Sequence, residues 1–313
     1  MKDKNLIFLR LIIRKLKYQC ATLTINNIIN KKSLMQIIIH YFLIKFNYFI
    51  LEDNFMAKII AIANQKGGVG KTTTTMSLGV GLSKLGKKVL LADFDSQANL
   101  TMYLGIDPEK IEITITSLLS DIINKTEIEK NKYLIKTDTV DLIASDITLS
   151  GFENKIINEF GREKLLGKAL RHYQNDYDYI LIDCMPSLNI LTINALTVAD
   201  SVLIPVQTHF LSIKGLEMLL ETIINVQESL NEGLRIEGIL FTMFDVRTSI
   251  GKQLIETVKS NYQQAIKVFD TVIPSSVKAI ESTAVGKSIF DHDKNGKISE
   301  AYKLFTEEVV CNG

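Results

Sequence analysis

The chain has 313 residues, and its 46% hydrophobic and 23% charged residues exclude a disordered protein and predict a sizeable buried core. Its three cysteines, Cys20, Cys184 and Cys311, are far apart and form no CxxC pair, so neither a disulfide framework nor a metal knuckle is indicated. A reducing cytoplasmic setting is therefore the expectation. The net charge of +1 hides two regions, since residues 1–55 carry 9 Lys and Arg against 3 Asp and Glu, and residues 56–313 carry 27 against 32.

Residues 1–55 form a leader without glycine or proline. Its apolar stretches are broken by charges such as Arg10, Arg14 and Lys45, so none reaches the roughly 18 residues of a spanning helix, and no cleavage site follows a clean apolar core. A segment lying on a membrane surface and a partner-binding extension are two open alternatives. We favour a third reading, in which residues 1–55 are upstream sequence read in frame and the working protein begins near Met56.

From Met56 onward, strand and helix patterns alternate along the chain. "KIIAIAN" predicts a buried strand, "TTTTMSLGVGLSKLG" a helix closed by Gly86, and "KKVLLADFD" the next strand. Later strands are predicted at "VDLIAS", "YDYILID", "DSVLIPVQ" and "IEGILFTMF", with a long helix at "IKGLEMLLETIINVQESLN". Most of these strands are apolar throughout, as in a parallel sheet covered on both faces. We predict one domain over residues 56–313, an α/β fold with a doubly wound, mostly parallel sheet flanked by helices and ligands at the carboxyl ends of its strands.

The stretch "NQKGGVGKTTTT", from Asn64 to Thr75, lies between a predicted strand and a predicted helix, which is the setting of a phosphate-binding loop. Backbone N–H groups and the helix N-terminus would cradle the phosphates of ATP. Lys71 would reach the β- and γ-phosphates, and the Thr72 hydroxyl would ligate Mg²⁺. The alternative is a glycine-rich turn without a ligand. The nucleotide contacts predicted in this loop are Gly67, Gly68, Val69, Gly70, Lys71, Thr72 and Thr73.

The loop departs from the standard G-x-x-x-x-G-K-[ST] pattern, because Gln65 stands where its first glycine belongs and Lys66 follows. The K-G-G-V-G-K-T form resembles the deviant Walker A motif of the ParA/MinD family of ATPases. The resemblance implies that Lys66 reaches across a nucleotide-sandwiched homodimer to the phosphates held by the other subunit. ATP would then act as a switch for dimerisation, with Lys66 and Lys71 both counted among the catalytic residues.

Two further motifs extend this resemblance over nearly all of residues 56–311. "KKVLLADFDSQANLT" is similar to the family's second motif and places Asp93 and Asp95 near the γ-phosphate, with Asp95 matching the residue that orients the attacking water. "YDYILIDCMPSLNILTINAL" is similar to its Walker B region, with Asp183 holding Mg²⁺ through water. Met185 stands where proline is usual. Each aspartate alone could equally be a cap for the next helix.

Within the family, the chain is most similar to the partition branch, the ParA and Soj proteins, through "LIPVQTHFLSIKGLEML" and "FTMFDVRTSIGKQLIETV". Arg247 and Lys278 fall where that branch carries basic residues for sequence-independent binding of double-stranded DNA. Pro274 and Ser276, in "IPSSVKAIES", correspond to the loop that contacts adenine. The alternative is that Arg247 and Lys278 are ordinary solvated charges.

The resemblance implies a cytoplasmic, nucleoid-associated ATPase that partitions a plasmid, chromosome or integrative element, with a ParB-like centromere-binding protein as partner. A MinD-like or other positioning ATPase is the alternative, although the acidic end "EAYKLFTEEVVCNG" is unlike a basic membrane helix, and no stable membrane insertion is expected. An iron-protein-like electron donor needs cluster cysteines, and Cys184 reads as a buried core residue.

One segment near the end, "DHDKNGKISEAY" from Asp291, partly fits an EF-hand loop. Its twelfth position is Tyr302, where that loop needs a bidentate glutamate. We therefore expect a polar turn before the last helix rather than a calcium site.

Overall fold

The computed structural model describes residues 56–208 and 212–311. The leader, residues 1–55, lies outside the described residues, so the proposed start near Met56 and the boundaries of the predicted domain stay predictions. The seven strands of the described part are β1 (Lys58–Ile62), β2 (Val89–Phe94), β3 (Ile135–Lys136), β4 (Asp141–Ile143), β5 (Tyr179–Cys184), β6 (Ser201–Gln207) and β7 (Arg235–Thr242).

These strands form one sheet in the order β3-β4-β2-β5-β1-β6-β7. All neighbouring pairs are parallel except β3 with β4, the short antiparallel pair at one edge. The central strands β2 and β5 are buried at every position, which is why their sequences are apolar almost throughout. The predicted doubly wound, mostly parallel sheet is confirmed.

Helices cover both faces of the sheet. In the described part they are α1 (Lys71–Lys84), α2 (Asn99–Tyr103), α3 (Ile115–Ile123), α4 (Leu149–Ile156), α5 (Leu165–Leu170), α6 (Ile190–Val198), α7 (Ser212–Ser229), α8 (Ser249–Tyr262), α9 (Val277–Ala284), α10 (Ile289–His292) and α11 (Lys297–Val310). Two apolar clusters result, one on each face. Within these residues, no helix is both long enough and apolar enough to cross a bilayer.

Helix α1 begins directly after the glycine-rich loop and ends at Lys84, and Gly86, with a φ of +80°, closes it just beyond that residue as predicted. It packs unusually close to its neighbours because it carries Gly79 and Gly81. A Cβ on Gly79 would lie 2.7 Å from Leu91 Cδ2, and one on Gly81 would lie 2.4 Å from Thr306 Oγ1. These two glycines allow α1 to approach strand β2 and helix α11.

Candidate functional site

The glycine-rich loop connects β1 to α1 at the carboxyl end of the sheet. Gly70 immediately precedes α1 and has a φ of +82°, a left-handed conformation that an L side chain adopts only with strain. Gly68 has a φ of +72°, and a Cβ built on it would meet no atom within 4 Å. The loop therefore presents its backbone to open space ahead of a helix N-terminus, as binding an anion requires.

Two buried hydrogen bonds fix this loop to the strands beside it. Asn64 accepts the N–H of Lys66 at 2.9 Å through Oδ1 and donates Nδ2 to the carbonyl of Pro205 at 2.7 Å. On the other side, the Thr242 hydroxyl donates to the carbonyl of Val69 at 2.8 Å. The sequence reasoning missed Thr242, whose only signal was its position at the end of a predicted strand.

The two lysines of the loop have different environments. Lys71 is only 6% exposed, and its Nζ donates to the carbonyl of Lys66 at 3.2 Å. Burial lowers the pKa of Lys71, while its electrostatic interactions with Asp183, Cys184 and Asp95 oppose that shift. Lys66 is half-buried, and its Nζ donates to Gln207 Oε1 at 3.4 Å. Lys71 is thus placed inside the site and Lys66 at its margin.

Asp183 is the next-to-last residue of β5, paired in register with Asp93 on β2 and Ile62 on β1. Its Oδ1 accepts from the Thr75 hydroxyl at 3.3 Å, whereas the buried Oδ2 has no hydrogen-bond partner among the described residues. Burial raises the pKa of Asp183, the nearby Asp93 raises it further, and the Thr72 hydroxyl and Lys71 oppose the rise. A buried carboxylate oxygen of this kind is normally satisfied by a donor or by a cation.

A divalent cation fits this carboxylate. Nowhere in residues 56–208 and 212–311 do three or more His, Cys, Asp or Glu side chains form a cluster able to hold a metal. A magnesium ion does not need such a cluster, because it is usually held by one or two protein oxygens together with substrate phosphates and water. Asp183 and the adjacent Thr72 hydroxyl supply oxygens of that kind.

Asp93 and Asp95 lie at the end of β2, and both are buried. Asp93 accepts three hydrogen bonds, two from Thr101 and one from the N–H of Asp95. Burial raises the pKa of Asp93, and these hydrogen bonds partly offset the rise. Asp93 is thus engaged with its own chain, and its contact with nucleotide stays a prediction.

A cavity of about 210 Å³ opens next to the loop. Pro274 and Ser276, predicted to contact adenine, line it together with Gly70 and Thr73. The sequence reasoning missed most of its wall, namely Tyr103, Thr242, Met243, Ile273, Ser275, Ala279, Ile280, Thr283, Ile298 and Tyr302. Two larger cavities, of about 460 and 880 Å³, are lined by none of the predicted site residues.

Arg247 and Lys278 lie on neighbouring segments, outside the loop and its cavity. A parallel bridge between Phe244 and Pro274 brings those segments together after β7. Arg247 is 85% exposed and pairs with Asp245, Nη2 to Oδ2 at 2.7 Å. Lys278 is exposed and pairs with Glu281 at 2.8 Å. Both basic residues are accessible, and each has a carboxylate beside it.

Two other expectations can be compared with the structure. Cys184 is buried in the core, as predicted. In the EF-hand-like segment, residues from Lys297 onward belong to α11, and Tyr302 is buried with its hydroxyl 3.3 Å from that of Thr74. Because the second half of the segment is helical, it does not form the loop that wraps around calcium in an EF-hand.

The loop with its buried lysine, the strand-end carboxylates and the doubly wound parallel sheet define a P-loop ATPase. Residues 57–236 match the sequence model of a family described as an AAA domain. The chain is 45% identical over 258 residues to the sporulation initiation inhibitor protein Soj of Bacillus subtilis, covering 82% of this chain and 100% of Soj. The chain therefore belongs to the ParA/Soj family.

Solved structures share the fold of this chain. The cobyrinic acid a,c-diamide synthase of Mycobacterium smegmatis, with bound ATP analog and magnesium, is similar with a TM-score of 0.71 and 34% identity, over 81% of this chain and 94% of that one. A putative plasmid partition protein of Borrelia burgdorferi B31, bound to AMPPNP, is similar with a TM-score of 0.67 and 30% identity, over 82% of this chain and 99% of that one.

Proposed function

We propose that this ATPase is a DNA partition protein in which Mg-ATP drives formation of a sandwich homodimer and binding to DNA of any sequence. A ParB-like partner would stimulate hydrolysis, and the cycle would segregate a plasmid, chromosome or integrative element from a nucleoid-associated position in the cytoplasm. The observation that carries the proposal is the pair of lysines in one loop, with Lys71 buried inside the site and Lys66 at its margin. Kinship with Soj supports it.

ATP binding rests on the loop and Lys71. The N–H groups of Gly67, Gly68, Val69 and Gly70 would bind phosphate oxygens, and the left-handed glycines permit this backbone path. Lys71 lies inside the site, where Asp183 and Asp95 oppose the effect of burial on its pKa, and its side chain would bind the β- and γ-phosphates. The cavity beside Thr73, with Pro274 and Ser276 in its wall, would take the adenine.

Magnesium would be held by the Thr72 hydroxyl and, through water, by Asp183. The unpartnered Oδ2 of Asp183 supports this assignment, since a buried carboxylate oxygen without a donor is costly unless a cation faces it. When bound, the ion supplies positive charge against the phosphates. The M. smegmatis structure holds both an ATP analog and magnesium, which supports the use of magnesium together with ATP.

Hydrolysis needs a group that orients the attacking water, and we assign this role to Asp95. Asp95 is 7% exposed at the end of β2 and lies close enough to Lys71 to influence its pKa. Asp93 is a weaker candidate because hydrogen bonds from Thr101 and Asp95 already engage its carboxylate.

Lys66 gives the site its dependence on a second subunit. Its contact with Gln207 Oε1 is long, at 3.4 Å, and therefore weak. The ammonium group would exchange this neutral partner for the phosphates held by another copy of the chain, which is a stronger, charge-assisted interaction. A lysine that is supplied in trans is absent from the monomer, so dimerisation would follow ATP binding.

Two alanine variants test these assignments. Lys71→Ala should abolish ATP binding, measured by fluorescence of a labelled nucleotide, because the phosphates lose their principal cation. Lys66→Ala should bind ATP nearly as well as the natural protein but form no dimer with AMPPNP in light scattering. Lys84→Ala, at the far end of α1, serves as the control for loss of a lysine. Retained affinity in Lys71→Ala, or full dimer yield in Lys66→Ala, would contradict the proposal.

A second candidate function has its own support. Four exposed apolar side chains, Val246, Ile250, Val277 and Ile280, flank Arg247 and Lys278, each more than 60% exposed. An apolar surface with basic residues also suits a positioning ATPase of the MinD type, which acts on a membrane or a protein complex. Co-sedimentation with anionic vesicles in the presence of AMPPNP, with no binding to DNA, would favour this function.

A further inference from the structure

The segment that carries Asp95 is held at both of its ends by one carboxylate. Asp93 Oδ1 accepts the N–H of Asp95 at 3.3 Å, just before the segment turns. Asp93 Oδ2 accepts the N–H of Thr101 at 2.9 Å and its hydroxyl at 2.7 Å, after the segment has entered α2. The Asp93 side chain thereby ties the end of β2 to the helix that follows it.

Thr101 adds a connection to a third element. Its side chain is fully buried, and its Oγ1 accepts the N–H of Ser145 at 3.1 Å while donating to Asp93. Ser145 follows β4, the neighbour of β2 in the sheet. The hydroxyl therefore uses both its donor and an acceptor position, and valine, of nearly the same shape, could do neither.

The segment between these ties is short and tight. The N–H of Gln97 donates to Asp95 Oδ1 at 3.0 Å, and the N–H of Ala98 donates to the carbonyl of Asp95 at 2.9 Å. Ala98 has a φ of +51°, which is uncommon for a residue with a side chain. Such a turn keeps its geometry only when its ends are fixed, so the position of Asp95 depends on Asp93 and Thr101.

We infer that Thr101, acting through Asp93, is a positioning residue that holds Asp95 where it orients the attacking water. The inference rests on the catalytic role proposed above for Asp95. Replacing the hydroxyl leaves Asp93 Oδ2 with one donor and the buried N–H of Ser145 without its acceptor. The turn then loses its anchor, while the loop and the cavity that bind ATP lose no contact.

The test compares Thr101→Val with Thr101→Ser. ATP affinity is measured by equilibrium binding and the chemical step by single-turnover hydrolysis with saturating Mg-ATP. We expect Thr101→Val to slow hydrolysis by about 10- to 100-fold, as misplacement of a catalytic group does, with little change in ATP affinity. Thr101→Ser, which keeps the hydroxyl, should restore most of the rate. Thr197→Val, which removes a hydroxyl bonded to its own helix, controls for the substitution itself.

The double variant Asp95→Ala/Thr101→Val shows whether Thr101 acts through Asp95. Two residues of one pathway are not additive, so the double variant should hydrolyse ATP no more slowly than Asp95→Ala alone. The inference is overturned if Thr101→Val hydrolyses ATP at the natural rate, or if Thr101→Ser does not restore the rate. It is also overturned if Thr101→Val loses as much ATP affinity as hydrolysis rate, or if the double variant is slower than Asp95→Ala by the full factor seen for Thr101→Val.

The outcomes also separate the inference from the proposed function. If Asp95→Ala hydrolyses ATP normally, the catalytic role of Asp95 fails, and the inference fails with it. If Asp95→Ala is slow and Thr101→Val is normal, the inference alone fails. If circular dichroism shows that Thr101→Val is unfolded, the same hydrolysis and binding measurements are made on Asp93→Asn. This variant keeps the side-chain volume but weakens the hydrogen bonds to Asp95 and to Thr101. Slow hydrolysis with retained ATP affinity supports the inference, and normal hydrolysis overturns it.

Discussion

Replacing Arg247 and Lys278 together by glutamate tests the proposed DNA surface. Both side chains are exposed, at 85% and 54%, so each can reach a phosphate. A dimer would lose four such contacts, and each contact contributes about 0.9 to the slope of log affinity against log salt concentration, so the slope should fall by about 3.6 in magnitude. This value is an upper limit, because Asp245 and Glu281 already compete for the two cations.

Fluorescence anisotropy on two duplexes of unrelated sequence, with AMPPNP and at several salt concentrations, measures the slope. The control is Lys88→Glu with Arg235→Glu, which makes the same charge change at exposed residues at the amino ends of β2 and β7, on the opposite edge of the sheet. ATP hydrolysis without DNA should not change in either variant. A slope equal to that of the natural protein, or an equal loss in the control, would refute the reasoning.

The carboxylate beside Arg247 provides a test in the opposite direction. Hydrogen bonds from Arg247 lower the pKa of Asp245 to about 2, so Asp245 is charged at any working pH and keeps hold of the guanidinium group. Asp245→Asn should therefore release Arg247, remove a repulsive charge and tighten binding to both duplexes. Weaker binding in this variant would show that Asp245 orients Arg247 for the phosphate instead of competing with it.

Three more predictions follow from the site and the core. Asp95→Ala should accumulate ATP-bound dimer in light scattering, because water is no longer oriented; normal turnover would move the role elsewhere. Ala279→Leu should narrow the cavity and weaken ATP binding by about tenfold. Tripolyphosphate, which lacks the base, should bind this variant as well as it binds the natural protein. An equal loss of affinity for ATP and for tripolyphosphate would exclude an adenine site in the cavity. Phe305→Ala removes a fully buried ring stacked edge-to-face on Phe269, and should lower the free energy of unfolding by about 3–5 kcal/mol in denaturant titration; a loss below about 1 kcal/mol would show that the core closes over the gap.

The parts of the fold that a local pattern determines were predictable from the sequence. Apolar runs such as β2 and β5 are buried on both faces, which only a covered parallel sheet explains. The glycine-rich loop and its lysines were recognisable because the residues that bind phosphate are consecutive in sequence, and the aspartates were recognisable because each follows such a run. The short edge strand β3 was not predicted, since two residues carry no periodic signal.

The parts that depend on tertiary contacts were not predictable. The cavity wall joins Tyr103, Thr242 and Tyr302, which are distant in sequence, so no spacing rule connects them. The same holds for Thr101. Its hydroxyl contacts Asp93 and Ser145 only because β2 and β4 pair side by side in the sheet. Nor does sequence reveal that Arg247 and Lys278 each have a carboxylate partner, since an exposed charge can pair in many directions.

The bare backbone of Gly79 and Gly81 has a consequence for how this chain can vary. Both residues lie more than two turns from Lys71 on the same helix. A methyl group at Gly81 would meet Thr306, which is packed in α11 and cannot move aside freely. The substitution would push the whole of α1 outward, and the first residue of that rigid rod is Lys71. Random mutagenesis should therefore find that substitutions of Gly79 and Gly81 are not tolerated, although neither residue lies among the predicted ligand contacts.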